Sequence, residues 1–310
     1  MRRALFSTVS SSRLAELLNQ TRTGHSVVWM APCAKSFKAD TATSSGSTFV
    51  FNDRVIPEFF AGANVPKRAT SIVVSAQVVR RPFLQAWREA FPQEEKMVLV
   101  RRGTSLGSID IDAAKELEID VCNTPGVNSP HVAQFTVDAL GLSGPIPNPD
   151  AANVVVVGTG SVGRYVVSLL ESVGLKPITV NRSPGSPTLQ TALRGATHVA
   201  VCAATSGEPI ITTEHVKELL AGRERAIKIC SVSRPEAFSL DAIMLIAQHQ
   251  RHVQLRFDYG DSILAPTRDQ VNADGVKGNI TWSSVAMASE ACKQDMDEAV
   301  LSLLAHASEH

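Results

Sequence analysis

Asn153-Val154-Val155-Val156-Val157-Gly158-Thr159-Gly160-Ser161-Val162-Gly163 is the stretch that decides the fold. Its uninterrupted β-branched run reads as a strand buried on both faces, and it leads straight into GxGxxG. An amphipathic stretch continues to about residue 173, Gly174 ends it, and residues 177–180 read as a second strand. GxGxxG alone is a weak signal, and a plain α/β turn is its ordinary alternative. Strand before, helix after and a second strand at the correct distance make it a dinucleotide cradle. Gly158 provides the tight turn, Gly160 the room for a pyrophosphate, and Gly163 the close packing of helix on strand. Thr159, Ser161 and Val162 complete the loop, where the free N–H groups of the helix start face the phosphates.

The residues after the second strand choose between NAD and NADP. An acidic side chain there would hold the adenine ribose hydroxyls and repel a 2′-phosphate. Asn181, Arg182 and Ser183 occupy the position instead, and a guanidinium flanked by uncharged hydrogen-bonding groups favours NADP over NAD. The bland alternative is a solvated loop arginine.

Outward from this unit the pattern alternates in both directions. Residues 198–202, 226–231 and 253–257 read as strands, with helices at 213–220 and 240–248. In open parallel sheets ligands bind beyond the carboxyl ends of strands, so 203–207, 231–234 and 258–261 are expected around the nicotinamide, with Ala203, Ser233 and Asp258 among its contacts. Upstream, 26–30, 71–74, 97–101 and 119–122 read as strands, 82–90 and 111–118 as helices, and the Ser- and Thr-rich 36–47 as an exposed loop. Gly144, Pro145, Pro147 and Pro149 make 141–150 the expected domain linker. The fold class is α/β.

Composition narrows the partners. Thirty Lys and Arg balance thirty Asp and Glu in 310 residues, 44% hydrophobic and 5% aromatic. Disordered, collagen-like and disulfide-framework chains are excluded, and no general charge footprint invites nucleic acid or an anionic membrane. No apolar run reaches the roughly 18 residues of a membrane-spanning helix. Five scattered cysteines without CxxC spacing read as small buried residues in a reducing compartment, and no metal site is expected. Arg2, Arg3 and Arg13, interleaved with serines and without an acid before Glu16, resemble a mitochondrial transit segment, set aside as 1–24. A solvated N-terminus of a cytoplasmic protein is the alternative.

Four segments carry a family resemblance. Residues 98–114 look like a glycine-containing strand and loop, Asn123-Thr124-Pro125-Gly126-Val127-Asn128-Ser129 like a hinge before the helix of Val132-Ala133-Gln134-Phe135, GxGxxG and Gly174 stand at matching spacing, and 229–240 hold Ser233-Arg234 at a strand end. In this order the chain, from about residue 71 to 305, resembles the D-isomer-specific 2-hydroxyacid dehydrogenases, the family of phosphoglycerate dehydrogenase and of glyoxylate and hydroxypyruvate reductases. The resemblance implies a Rossmann NAD(P)-binding domain, 150–284, inserted in a flavodoxin-like substrate domain, 25–140 plus 285–310. It implies hydride transfer between nicotinamide and a small 2-hydroxy or 2-oxo acid. Arg234 then carries over as the cation for the substrate's carboxylate and carbonyl. Backbone around Ser75, Ala76, Gly103, Thr104 and Ser105 becomes the donor set for the carboxylate, although Ser105 and Gly107 replace the second Gly and the Asp of the usual Gly-x-Gly-x-Asp.

The match breaks at the acid/base. Relatives place a His before the last helix, backed by a Glu past the strand-end Asp. Here Ser284 stands at the His position, Ile263 at the Glu position, and Asp261 is the nearest carboxylate. A positioned acid is worth 10²- to 10⁴-fold in rate, about 3 to 5 kcal/mol, and His131 is the candidate substitute. The long arm that usually makes the dimer is also replaced by 141–150, so the oligomeric state does not carry over. The leading expectation is an NADP-preferring 2-hydroxyacid dehydrogenase or 2-oxoacid reductase. A catalytically silent dinucleotide-binding sensor or interaction module is the runner-up, and imine reduction on an unrelated Rossmann plan a distant third.

Overall fold

The computed structural model describes residues 26–30, 41–42, 48–51, 55–62, 67–146, 149–205, 207–221, 226–273 and 278–307. The transit-like segment, Cys33, Ser206 and most of the 36–47 loop lie outside them. The chain divides into two compact units, residues 1–128 with 290–310, and residues 129–289.

The first unit is a sheet of β1 (Ser26–Trp29), β2 (Thr41–Ala42), β3 (Thr48–Phe51), β4 (Ser71–Val74), β5 (Met97–Arg101) and β6 (Ile119–Asn123) in the order β2-β3-β1-β4-β5-β6. All neighbours are parallel except the two-residue edge strand β2, which falls inside the stretch expected to be loop. Counted without β2 the order is 2-1-3-4-5, the flavodoxin-like plan. α1 (Arg81–Ala90) opens with Pro82 in its first turn and buries Phe83, Leu84 and Trp87 at helical spacing, and the Trp87 indole donates to Ala69 O at 2.9 Å. α2 (Ile111–Glu116) is capped by Asp110, whose carboxylate accepts from Ala113 N at 3.0 Å. These two helices cover one face, over Val28, Ile72, Val74, Met97 and Leu99.

The second unit starts with α3 (Ser129–Leu140) and continues through β7 (Val154–Val157), α4 (Ser161–Ser172), β8 (Ile178–Val180), α5 (Leu189–Leu193), β9 (His198–Val201), α6 (Thr213–Leu220), β10 (Ile227–Ser231), α7 (Leu240–Gln248), β11 (Val253–Asp258), α8 (Asp261–Ala273) and β12 (Ile280–Ser283). Its six strands are all parallel, in the order β12-β11-β10-β9-β7-β8. α3 and α4 pack on Val154, Val156, Ala200 and Cys230, while α5 to α8 bury the opposite face. The expected boundary at 141–150 is corrected by this packing. Ala133, Val137 and Leu140 commit α3 to the second unit, and the Arg256 guanidinium lies 4.8 Å over the Phe135 ring. The units part at Asn128/Ser129 and Ser289/Glu290 instead.

After β12 the chain returns to the first unit as α9 (Glu290–Ala307), which buries Val300, Leu301 and Leu304 against Val27, Trp29, Val73, Val98 and Val100. Arg102, just past β5, reaches α9: its Nε donates to the Asp297 carboxylate and its Nη2 to Lys293 O at 2.8 Å. Both side chains are nearly inaccessible, at 6% and 4%. Among the described residues no helix is long and apolar enough to cross a membrane.

Candidate active site

Because every strand of the second unit is parallel, the loops after β7 to β12 gather at one edge, and most of the expected site residues stand on them. Gly158 has φ +88°, and a Cβ there would sit 2.6 Å from the Ala203 Cα. At Gly163 a Cβ would overlap the Gly158 carbonyl oxygen, so helix and turn touch through glycine. Gly160 is different: nothing lies within 4 Å of its Cβ position, it is exposed, and it caps α4 with no side-chain partner. The two flanking glycines are demanded by protein packing, whereas the space at Gly160 and the uncapped N–H groups of Ser161, Val162 and Gly163 fit a pyrophosphate.

Asn181 joins the next loop to this cradle. Its Nδ2 donates to Thr159 Oγ1 at 3.3 Å, its Oδ1 accepts from Ser183 N at 2.8 Å, and its own N–H is held by Ser186 Oγ at 3.0 Å. The turn presents Arg182 to solvent, without a hydrogen bond or ion pair among the described residues.

Ser233 and Asp258 are anchors. Ser233 Oγ donates to Val201 O at 3.2 Å and Ala203 O at 2.7 Å, tying the β10 and β9 loops together. Asp258, 5% exposed, accepts from Ser283 Oγ at 2.8 Å, Val285 N at 2.9 Å and Ala286 N at 3.1 Å. Its carboxylate is filled by the turn that carries Ser284 and is turned inward, contrary to the expected nicotinamide contact. Ser284 itself is exposed and makes no hydrogen bond among the described residues. Asp261 sits at the start of α8, where Arg268 Nη1 donates to its Oδ1 at 2.6 Å. There Asp261 is exposed and held in a surface ion pair by Arg268.

Arg234 stands half exposed at the end of the β10 loop, forked on Glu236 at 3.3 and 3.4 Å. Glu236 is the partner that sequence reading missed. An exposed pair of this kind is worth no more than about 1 kcal/mol, so the guanidinium is readily released from it. His131, in the first turn of α3, belongs to the same edge: α3 ends with Gly141 beside Lys228 at the start of β10, so its beginning points to the strand ends. The other described imidazoles are placed elsewhere. His198 begins β9 at the far edge, where burial pushes it down to about 4, and His215 is held in the capping box of α6. Burial also pushes the Cys230 thiol up to about 12, and that of Cys202 higher still, so neither offers a thiolate.

In the first unit the expected carboxylate donors separate into two groups. Ser75 N donates to Gln77 Oε1 at 2.6 Å and Gly103 N to Thr124 Oγ1 at 2.8 Å, so both are already engaged. The N–H groups of Ala76, Thr104 and Ser105 have no acceptor among the described residues and remain available at the strand ends.

Residues 71–309 match the profile of the D-isomer specific 2-hydroxyacid dehydrogenase catalytic domain. The chain belongs to the D-isomer-specific 2-hydroxyacid dehydrogenases. Their members are NAD(P)-dependent oxidoreductases that act on the CH–OH group of small 2-hydroxy acids or reduce the 2-oxo form. No curated protein matches the chain. Among solved structures it is similar to a 2-hydroxyacid dehydrogenase from Ketogulonicigenium vulgare, at 17% identity over 92% of this chain and 95% of that one, TM-score 0.68. It is similar to NAD⁺-bound 3-phosphoglycerate dehydrogenase of Entamoeba histolytica, at 17% identity over 91% and 94%, TM-score 0.65. A third is the NADPH-dependent glyoxylate/hydroxypyruvate reductase of Sinorhizobium meliloti, at 16% over 89% and 92%, TM-score 0.61. These likenesses show the dehydrogenase fold, two domains with a Rossmann NAD-binding unit.

Proposed function

We propose that the protein is an NADP-preferring reductase of small 2-oxo acids, reversible toward the 2-hydroxy acids. The observation that carries the cofactor part is the open cradle at Gly160, joined through Asn181 to an exposed, unpaired Arg182 with no carboxylate beside it. A bound nicotinamide supplies or accepts the hydride. The chain's own residues do the rest. Gly160 and the α4 N-terminus hold the pyrophosphate, and Arg182 with Ser183 holds the 2′-phosphate. Arg234 leaves Glu236 for the substrate's carboxylate and carbonyl oxygen, stabilising the charge that develops on that oxygen. His131 moves the proton that Ser284 is too weakly acidic to give. Mitochondrial residence is proposed from the N-terminal Arg/Ser pattern alone.

A charge-assisted contact from an exposed guanidinium is worth roughly 1.4 kcal/mol, about tenfold in affinity. Titration is therefore expected to show NADPH binding tighter than NADH, and Arg182→Ala to lose about tenfold for NADPH only. NADH binding at least as tightly, with no change in the variant, overturns the preference. The missing His and the Arg268-bound Asp261 favour one second reading, a silent dinucleotide-binding relative, whose sign is tight NADPH binding without turnover on any 2-oxo acid.

A further inference from the structure

The turn after β8 repeats one dipeptide, Ser183-Pro184 and Ser186-Pro187. Ser186 N donates to Ser183 O at 3.2 Å and Gly185 has φ +86°, so residues 183–186 close a β-turn with Pro184 at its second position and Gly185 at the left-handed third. The two serines are used differently. Ser186 is half-buried, and its Oγ accepts from Asn181 N at 3.0 Å and donates to Thr179 O at 3.4 Å, which makes it part of the frame of the turn. Ser183 is exposed, as are Arg182 and Pro184 on either side of it. Its N–H is fixed on Asn181 Oδ1 at 2.8 Å, while its hydroxyl has no hydrogen bond among the described residues. The backbone is held and the hydroxyl is offered to solvent. A phosphoryl group on that hydroxyl would add a charge of about −1.5 to −2 and three strong acceptor oxygens, next to the guanidinium assigned to the 2′-phosphate. An acidic group after the second strand is also what excludes a 2′-phosphate from NAD-binding units, so the same exclusion can be added to this turn by modification.

We propose that Ser183 is a phosphorylation site for a proline-directed protein kinase and that its phosphate selectively weakens NADPH binding. This rests on the reading of Arg182 as the partner of the 2′-phosphate. In the modification the γ-phosphorus of ATP bonds to Ser183 Oγ as its bond to the bridging oxygen of the β-phosphate breaks. ADP leaves, and the serine proton passes to the base of the kinase. The new phosphate pairs with Arg182 and repels the 2′-phosphate of NADPH, whereas NADH carries a hydroxyl there and meets no such repulsion. The test incubates the full chain with a proline-directed kinase and γ-labelled ATP, maps the label, and titrates NADPH and NADH into modified and unmodified protein. Label is expected on Ser183, lost in Ser183→Ala and kept in Ser186→Ala. NADPH is expected to bind the modified protein at least about tenfold more weakly, with NADH changed by less than about twofold. Ser183→Asp, which adds a single negative charge at an exposed position, is expected to reproduce part of the NADPH loss without a lower melting temperature. No label on Ser183, label on Ser186 alone, or modified protein that binds NADPH as tightly as before overturns the proposal. Unmodified protein that binds NADH more tightly than NADPH overturns the NADP reading, while label on Ser183 with a loss confined to NADPH still upholds the site and its effect.

Discussion

Arg234→Ala is expected to lower kcat/KM for 2-oxo acid reduction by about 10²- to 10³-fold, the loss found when a positioned electrostatic donor is removed, roughly 3 to 4 kcal/mol. The reasoning begins with the fold: Ser233 Oγ locks the end of β10 to the β9 loop, and Pro235 starts the turn that follows, so the guanidinium is projected from a fixed point. Its resident partner is two residues away and exposed, which leaves it able to exchange. Arg234→Lys keeps the charge without the fork and recovers only part of the activity. NADPH affinity is expected to be unchanged in both, which separates a substrate role from damage to the unit. Full activity in Arg234→Ala would remove the electrostatic group from the account.

The largest expected effect on stability lies in the first unit. Asp297→Ala leaves Arg102 buried at 6% exposure without a counter-charge, and breaking one side of such a pair costs about 3 to 5 kcal/mol. The pair fastens α9, the last element of the chain, to the end of β5, so its loss also frees the helix that covers Val27, Trp29 and Val100. The double variant Arg102→Met with Asp297→Leu is expected to recover most of the loss, because no charge is then stranded. Urea unfolding of the three proteins measures this. A cost under about 1 kcal/mol for Asp297→Ala would mean that the pair is solvated.

Most of the nucleotide unit was legible because its signals are local. Four consecutive valines and a glycine turn specify β7 and α4 with little help from the rest of the chain, and the capping residues Thr212 and Ser239 mark α6 and α7 at their true starts. α8 was not legible. It carries Pro266 in its interior and buries only Leu264 and Val271, so neither periodicity nor breaker rules point to a helix. β12 is an edge strand that is nowhere fully buried, held by Trp282 stacking on Phe257 at 4.8 Å, a contact set by tertiary packing. The boundary was misread because prolines mark a break in the chain but not which core the preceding helix joins. In the site, glycine roles and Arg182 follow from residue type and spacing. Glu236 on Arg234, Arg268 on Asp261 and the inward Asp258 depend on turns and helices that no short motif announces.

The most direct measurement of the central claim is steady-state NADPH oxidation by the full-length protein against glyoxylate, hydroxypyruvate, pyruvate and 2-oxoglutarate. Turnover on at least one of them, lowered by roughly 10²- to 10⁴-fold in His131→Ala, is the predicted result. Tight NADPH binding with no turnover on any of the four would contradict it.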